Sequence, residues 1–325
     1  MTDPILEVRD LHKTYRIGFT RRRVEAIRGL SFEVRQGEVF GLLGPNGAGK
    51  TSTIKAALRL VTPTSGEVRL FGNNAWQRDA MRRVGYLPEN PYVYQYLNAT
   101  EFLDLCARLT DLSASERSRR IPELIDRVGL SHALDRRIGK FSKGMMQRVG
   151  LAQALLHEPE FLILDEPMSG LDPIGRKQVR EIILDEHRKG KTILFTSHIL
   201  TDVEMLCDRV AIVNHGKLSA EGKLKDLLAH QKKEVEITVR TTDETLLARI
   251  ESEGRDFRHQ GDEASATFSQ GNEARLLLQK ATAGGAEILQ VRELRESLES
   301  FFVQEASKTE LESPSLAELG SAEPS

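Results

Sequence analysis

From Val39 onward the chain runs five apolar residues, Val39-Phe40-Gly41-Leu42-Leu43, directly into a glycine-rich octapeptide. Apolar positions Ile54, Leu58 and Val61 follow at helical spacing. A short apolar run without polar alternation reads as a strand covered on both faces, which only a layered α/β architecture provides. The same unbroken pattern returns at Phe161-Leu162-Ile163-Leu164, Thr192-Ile193-Leu194-Phe195 and Val210-Ala211-Ile212-Val213. Between these runs, Phe102, Leu105 and Leu109, and then Val179, Ile182 and Ile183, keep a helical period. Strands alternating with helices predict an α/β fold with a largely parallel sheet. Residues 6–9 and 31–35 alternate apolar and polar, as strands of a half-exposed sheet do.

The octapeptide Gly44-Pro45-Asn46-Gly47-Ala48-Gly49-Lys50-Thr51 fits the phosphate-loop pattern G-x-x-x-x-G-K-[ST] at each fixed position. Glycines let successive backbone N–H groups turn toward phosphate oxygens, and the helix that follows adds its positive end. Lys50 supplies charge for the β- and γ-phosphates, and the Thr51 hydroxyl is a candidate Mg²⁺ ligand. Ser52 continues this turn of helix. The run Phe161–Leu164 ends in Asp165 and Glu166. Carboxylates at the carboxyl edge of a parallel sheet face the crevice where ligands bind. Asp165 is therefore the candidate to orient Mg²⁺, and Glu166 the candidate to polarise an attacking water.

The chain has 325 residues, a soft prior for about two domains. A net charge of −2 gives no basic field, so no nucleic-acid partner is expected. Two cysteines, Cys106 and Cys207, make no disulfide framework, and a reducing compartment follows as the expectation. The opening residues carry acids where a secretory leader carries Lys or Arg. No apolar run approaches the ~20 residues that cross a bilayer. Any work on a membrane would need a spanning partner.

The first domain is expected over 1–228, with a polar linker at 229–234. A second domain over 235–304 follows: strand 235–240, helix 243–254, two strands within 256–269, helix 271–282, strand 287–291, helix 294–303. This βαββαβ order with one added helix predicts a small ferredoxin-like α+β domain. Residues 305–325 are rich in Ser, Glu and Pro and read as a disordered acidic tail.

Phe141-Ser142-Lys143-Gly144-Met145-Met146-Gln147-Arg148 separates the phosphate-loop families. It resembles the signature of the ABC-type ATPases, in which a Ser-x-Gly turn opens a helix. Lys143 stands where the common form has Gly, and Met145 where it has Gln. Residues 5–228 are similar to that family in motif order. Ser169-Gly170-Leu171-Asp172 matches the loop after the catalytic acid, and the resemblance implies Asp172 as a cofactor-binding residue. His198 matches the switch histidine, and Tyr15 the aromatic that stacks on adenine. Glu89, in Gly85-Tyr86-Leu87-Pro88-Glu89, stands where most of the family has Gln in the loop that senses Mg²⁺, water and the membrane partner. The resemblance implies a P-loop ATPase domain with a parallel-sheet core, an antiparallel β subdomain and a helical subdomain. It implies ATP and Mg²⁺ as cofactors and a separate transmembrane permease as partner. It places the chain in the cytoplasm, on the inner face of the cell membrane. Ser142 and Gly144 are implied to touch the γ-phosphate held by a second subunit, so one motif set implies a homodimer or pseudo-symmetric dimer. Glu89, Ser142-Lys143-Gly144-Met145 and the ending Glu296-Ser297-Leu298-Glu299-Ser300-Phe301-Phe302 are most similar to the ABC-2 type exporter branch.

The competing reading is a soluble ABC ATPase acting on ribosomes or DNA, but such chains usually carry two motif sets or a long coiled-coil insertion. Arg21-Arg22-Arg23 reads as a solvated loop between two strands. Arg117, Arg119 and Arg120 read as a solvated helix face, and Met145 and Met146 as packing residues.

Overall fold

The computed structural model describes residues 4–18, 22–74, 78–229, 234–269 and 272–294. They fall into two compact units that divide between Leu224 and Lys225. In the first, an antiparallel sheet has the order β2-β1-β4-β5, formed by β1 (Pro4–Ile17), β2 (Arg22–Arg35), β4 (Ser65–Leu70) and β5 (Asn73–Asn74). The main sheet has the order β10-β9-β3-β8-β7-β6. Its strands are β3 (Val39–Leu43), β6 (Val84–Leu87), β7 (Phe161–Leu164), β8 (Thr192–Ser197), β9 (Arg209–Asn214) and β10 (Lys217–Lys223). β10 pairs antiparallel with β9, and every other pair is parallel. The four apolar runs of the sequence are β3, β7, β8 and β9, and each is buried along its whole length. Phe32 of β2 stacks on Phe40 of β3 with ring centroids 5.6 Å apart, so the two sheets share one core.

Helices of this unit begin where short polar side chains can accept the free N–H groups of a first turn. Asn98 and Ser113 form capping boxes with Glu101 and Glu116, opening α3 (Ala99–Leu109) and α4 (Ala114–Arg127). Ser142 caps α5 (Lys143–Leu155), and Asp172 caps α6 (Pro173–Arg188). α3, α4 and α5 pack against one another as a helical layer. The remaining helices of this unit are α1 (Lys50–Ala57), α2 (Arg78–Arg82) and α7 (Leu200–Leu206), and α8 (Leu224–Ala229) begins at the division between the units.

Several expectations change. The helix expected to reach Val61 stops at Ala57, because Arg59 takes a left-handed φ of 59° that an α-helix cannot continue through. Leu109 is exposed, and the buried stripe of α3 is Phe102, Leu103 and Ala107 instead. Arg22 and Arg23 belong to β2, paired with Ile17 and Arg16, rather than to a loop. Arg120 is buried, because its guanidinium donates to the carbonyls of Leu155 and Leu156 at 3.1 and 2.7 Å and ion-pairs with Glu158. The helix supplies what its charge needs, so it packs inward.

The second unit runs β11 (Glu234–Arg240), α9 (Glu244–Glu253), β12 (Arg255–Gln260), β13 (Glu263–Ser269), α10 (Asn272–Ala283) and β14 (Glu287–Leu294). Its sheet order, β12-β13-β11-β14, is antiparallel throughout, the ferredoxin-like arrangement expected from the element order. Val235, Ile237 and Val239 alternate inward on β11 and meet Leu246, Ile250, Phe268 and Leu277 in a separate core. Of the expected linker, Ala229 ends α8 and Glu234 begins β11. Residues 230–233, the helix expected over 294–303 and the tail from 305 lie outside the described residues, Leu294 excepted, which closes β14.

Candidate active site

β3 lies inside the parallel sheet between β9 and β8, and its carboxyl end opens onto the octapeptide. The loop is shaped by its glycines for different reasons. A β-carbon on Gly44 would stand 2.2 Å from the Val213 carbonyl oxygen, so the loop leaves the sheet too close to β9 for any side chain. Gly49 caps α1 with a φ of 105°, and a β-carbon there would meet the Ala26 carbonyl oxygen at 2.4 Å. Gly47, with a φ of 84°, has nothing within 4 Å of that position and faces open space.

A cavity of about 560 Å³ lies over this loop. Pro45, Asn46, Gly47, Ala48, Gly49, Lys50, Thr51 and Ser52 form its floor, and Tyr15, Glu89, Glu166 and His198 stand around it. The Lys50 ammonium is buried and donates to the carbonyl oxygens of Gly44 at 2.7 Å and Pro45 at 3.3 Å. It lies 3.5 Å from Glu166 Oε1. Glu166 Oε2 accepts from His198 Nδ1 at 2.8 Å, since a carboxylate can only accept. Glu166 itself has a φ of 51°, a conformation that costs a non-glycine residue about 1–3 kcal/mol. Its backbone N–H donates to the Thr196 hydroxyl oxygen at 2.9 Å, which holds that turn in place.

Asp165 sits behind the cavity, 1% exposed, and receives the Thr196 hydroxyl on Oδ1 at 2.7 Å. Its Oδ2 and Glu166 Oε1 are buried without a hydrogen-bond donor among the described residues. Burial pushes the Asp165 carboxyl above the ordinary carboxylate range. Hydroxyl donors on Thr196 and Thr51 oppose that shift, the Glu166 charge reinforces it, and Lys50 opposes it. Asp165, Thr51 and Glu89 also line a neighbouring groove. These hard oxygen donors suit Mg²⁺. Among the described residues no three His, Cys, Asp or Glu are grouped to hold a metal ion.

Tyr15 on β1 presents its ring at the cavity edge, with its hydroxyl 3.3 Å from Ser52 Oγ and the Lys13 ammonium 4.9 Å from the ring centre. Ser142, Gly144 and Asp172 do not line the cavity. Ser142 accepts from the Met145 N–H at 3.2 Å, and Asp172 from the Gly175 N–H at 3.1 Å. Gly144 packs toward Leu171, so these two helix starts lie against each other within one chain. Sequence reasoning missed Thr196, whose signal is a hydroxyl directly after the apolar run Ile193-Leu194-Phe195. It named Ser169 only within the Ser169–Asp172 motif, and it missed the β2 residues Val24, Glu25 and Ala26; all four line the cavity. No local pattern marks those three, because β2 reaches the loop only through tertiary packing.

A buried strand, a phosphate loop, a strand-end Asp-Glu pair and a following histidine gathered at one sheet edge form a nucleotide-hydrolysis geometry. The model of the ABC transporter family matches residues 27–169. An uncharacterized ABC transporter ATP-binding protein of Nostoc sp. is 51% identical over 233 residues, covering 71% of this chain and 70% of that protein. The bacitracin transport ATP-binding protein of Bacillus licheniformis is 35% identical over 304 residues, 92% of this chain and 96% of its own length. Among solved structures, the ATP binding subunit of an ABC transporter is 36% identical with a TM-score of 0.62, covering 69% of this chain and 92% of its own. The chain belongs to the family of ABC transporter ATP-binding proteins.

Proposed function

We propose that this ATPase energises export of a substrate through a separate transmembrane permease, working as a dimer on the inner face of the cell membrane. The observation that carries the catalytic part is the suspension of Glu166 between His198 and Lys50 at the rim of the loop cavity. In this reading the phosphate loop and Lys50 hold the β- and γ-phosphates, and Tyr15 stacks on the base. Glu166 accepts the proton of the attacking water, and His198 holds that carboxylate in line. Thr51, Asp165 and Glu89 would hold Mg²⁺, which would supply positive charge against the negative charge that develops on the phosphates. Ser142 and Gly144 lie outside the chain's own cavity, which suits a role toward the nucleotide of a second subunit. Asp172, which caps the helix packed beside them, belongs to the same boundary.

No described helix is long and apolar enough to cross a membrane, so the transport path is assigned to another chain. The export reading is supported by the bacitracin transport relative, which matches across nearly the whole chain. Affinity capture from detergent-solubilised native membranes, followed by ATPase assay of the captured complex, is the test. A membrane-spanning partner recovered in proportion to the ATPase supports the proposal. Recovery of ribosomes or DNA without a spanning protein overturns it.

A further inference from the structure

The segments that carry Glu166 and His198 leave neighbouring strands. β7 and β8 pair in parallel with Leu164 opposite Phe195, and beyond the sheet edge the chain enters α6 and α7. The two segments are tied at three levels. Nearest the strands, the Glu166 N–H donates to the Thr196 hydroxyl. Next along the chain, His198 Nδ1 meets the Glu166 carboxylate. Farthest along, Arg176 Nη2 donates to Asp202 Oδ2 at 2.5 Å and joins the first turns of α6 and α7. Asp202 stands four residues after His198, and Arg176 four after Asp172, the cap of α6. Within the first segment the Ser169 N–H donates back to the Glu166 carbonyl oxygen at 3.0 Å, so the ring of contacts closes on Glu166 itself. α7 is seven residues long, and its cap Ile199 offers no side chain to the free N–H groups. Its buried side chains are Asp202, Val203 and Leu206, so one of its three anchors is a carboxylate. Asp202 is 4% exposed, and a charge buried so deeply depends on its partner. The His198 ring, by contrast, is 44% exposed, so packing alone does not fix it over Glu166. Its direction follows from where α7 begins.

We propose that Arg176 and Asp202 form an outer clamp that positions His198 against Glu166. The inference rests on the roles proposed above for Glu166 and His198. Neither clamp residue lines the nucleotide cavity, so their effect reaches the reaction only through the two segments they join. They are positioning residues: the pair governs the rate of hydrolysis and leaves nucleotide binding to the phosphate loop.

The test is steady-state ATPase kinetics of the full chain, with ATP affinity measured by calorimetry. Arg176→Met is expected to lower kcat about 10–100-fold, the effect of a small misplacement of a reacting group, with KM and ATP affinity unchanged. That variant leaves Asp202 buried without its partner and lowers the melting temperature. The double variant Arg176→Ala, Asp202→Ala leaves no charge behind, and it is expected to fold and to show the same fall in kcat. A further comparison is made in a His198→Ala background. If the clamp acts through His198, Arg176→Met adds nothing to the loss that His198→Ala already causes. Losses that multiply overturn the proposal, as does a change confined to KM or a folded double variant with wild-type kcat. A His198→Ala chain that turns over like the wild type removes the role proposed for His198, and the clamp falls with it. A slow His198→Ala chain beside a double variant of wild-type kcat removes the clamp alone.

Discussion

Glu166→Gln keeps the size of the side chain and its contact with His198 but removes the group that takes a proton from water. Turnover is expected to fall about 10²–10⁴-fold with nucleotide affinity retained, measured by phosphate release and calorimetry. Lys50→Ala should do the reverse and weaken nucleotide binding itself, because the ammonium that faces the phosphates is gone. An affinity equal to the wild type would remove the loop from the binding site. Thr196→Val is the more local test. It removes the donor to Asp165 Oδ1 and leaves the Glu166 N–H without its acceptor. The expected loss is about 1–3 kcal/mol of stability by denaturant unfolding, together with lower turnover. At this scale Lys50, Asp165 and Glu166 were legible because their motifs are contiguous in sequence. Thr196 was not, since its role depends on β8 lying beside β7, a neighbour relation that no local spacing reports.

Between elements, Glu186 on α6 is a buried electrostatic joint away from the site. It is buried with Arg127 of α4 and with Lys189 and Lys191 around it. Burial alone would raise its carboxyl, but the donors Lys191, Arg127 and Lys189 outweigh that and bring it down from 4.5 to about 2. A carboxyl whose pKa is depressed by folding contributes stability that is complete above the unfolded value and is lost as pH falls through the folded one. The window is therefore between about pH 4.5 and pH 2. Glu186→Gln should cost ~3 kcal/mol at neutral pH, and the gap to the wild type should close as pH falls across that window. A gap independent of pH would show that the loss is packing rather than charge. Helical periodicity found α3 and α6, and the stretch holding Arg117, Arg119 and Arg120 read as a solvated helix face, which placed Arg120 on the wrong side of α4. An arginine looks like a surface residue until the free carbonyls at the end of α5 are seen within its reach.

Each of the two units has its own apolar core, and this sets how the whole chain should melt. Phe268→Ala empties the centre of the second core and should destabilise that unit by about 3–5 kcal/mol. Calorimetry is expected to show a lowered transition for the second unit while the nucleotide-protected transition of the first stays in place. A single transition that moves as one would show that the units unfold together. The sequence alone determined the α/β class, the parallel core, the βαββαβ order of the second unit and the phosphate loop. All four are written in contiguous patterns: an apolar run, a period of 3.6 or 2, a glycine that must turn. Only the tertiary structure decided that β3 lies between β9 and β8, that Tyr15 and β2 come to the rim of the loop, and that Glu166 hangs between Lys50 and His198. Those placements come from burying several distant strands at once in one core. The energy of that burial belongs to the assembled sheet, and no single segment carries it.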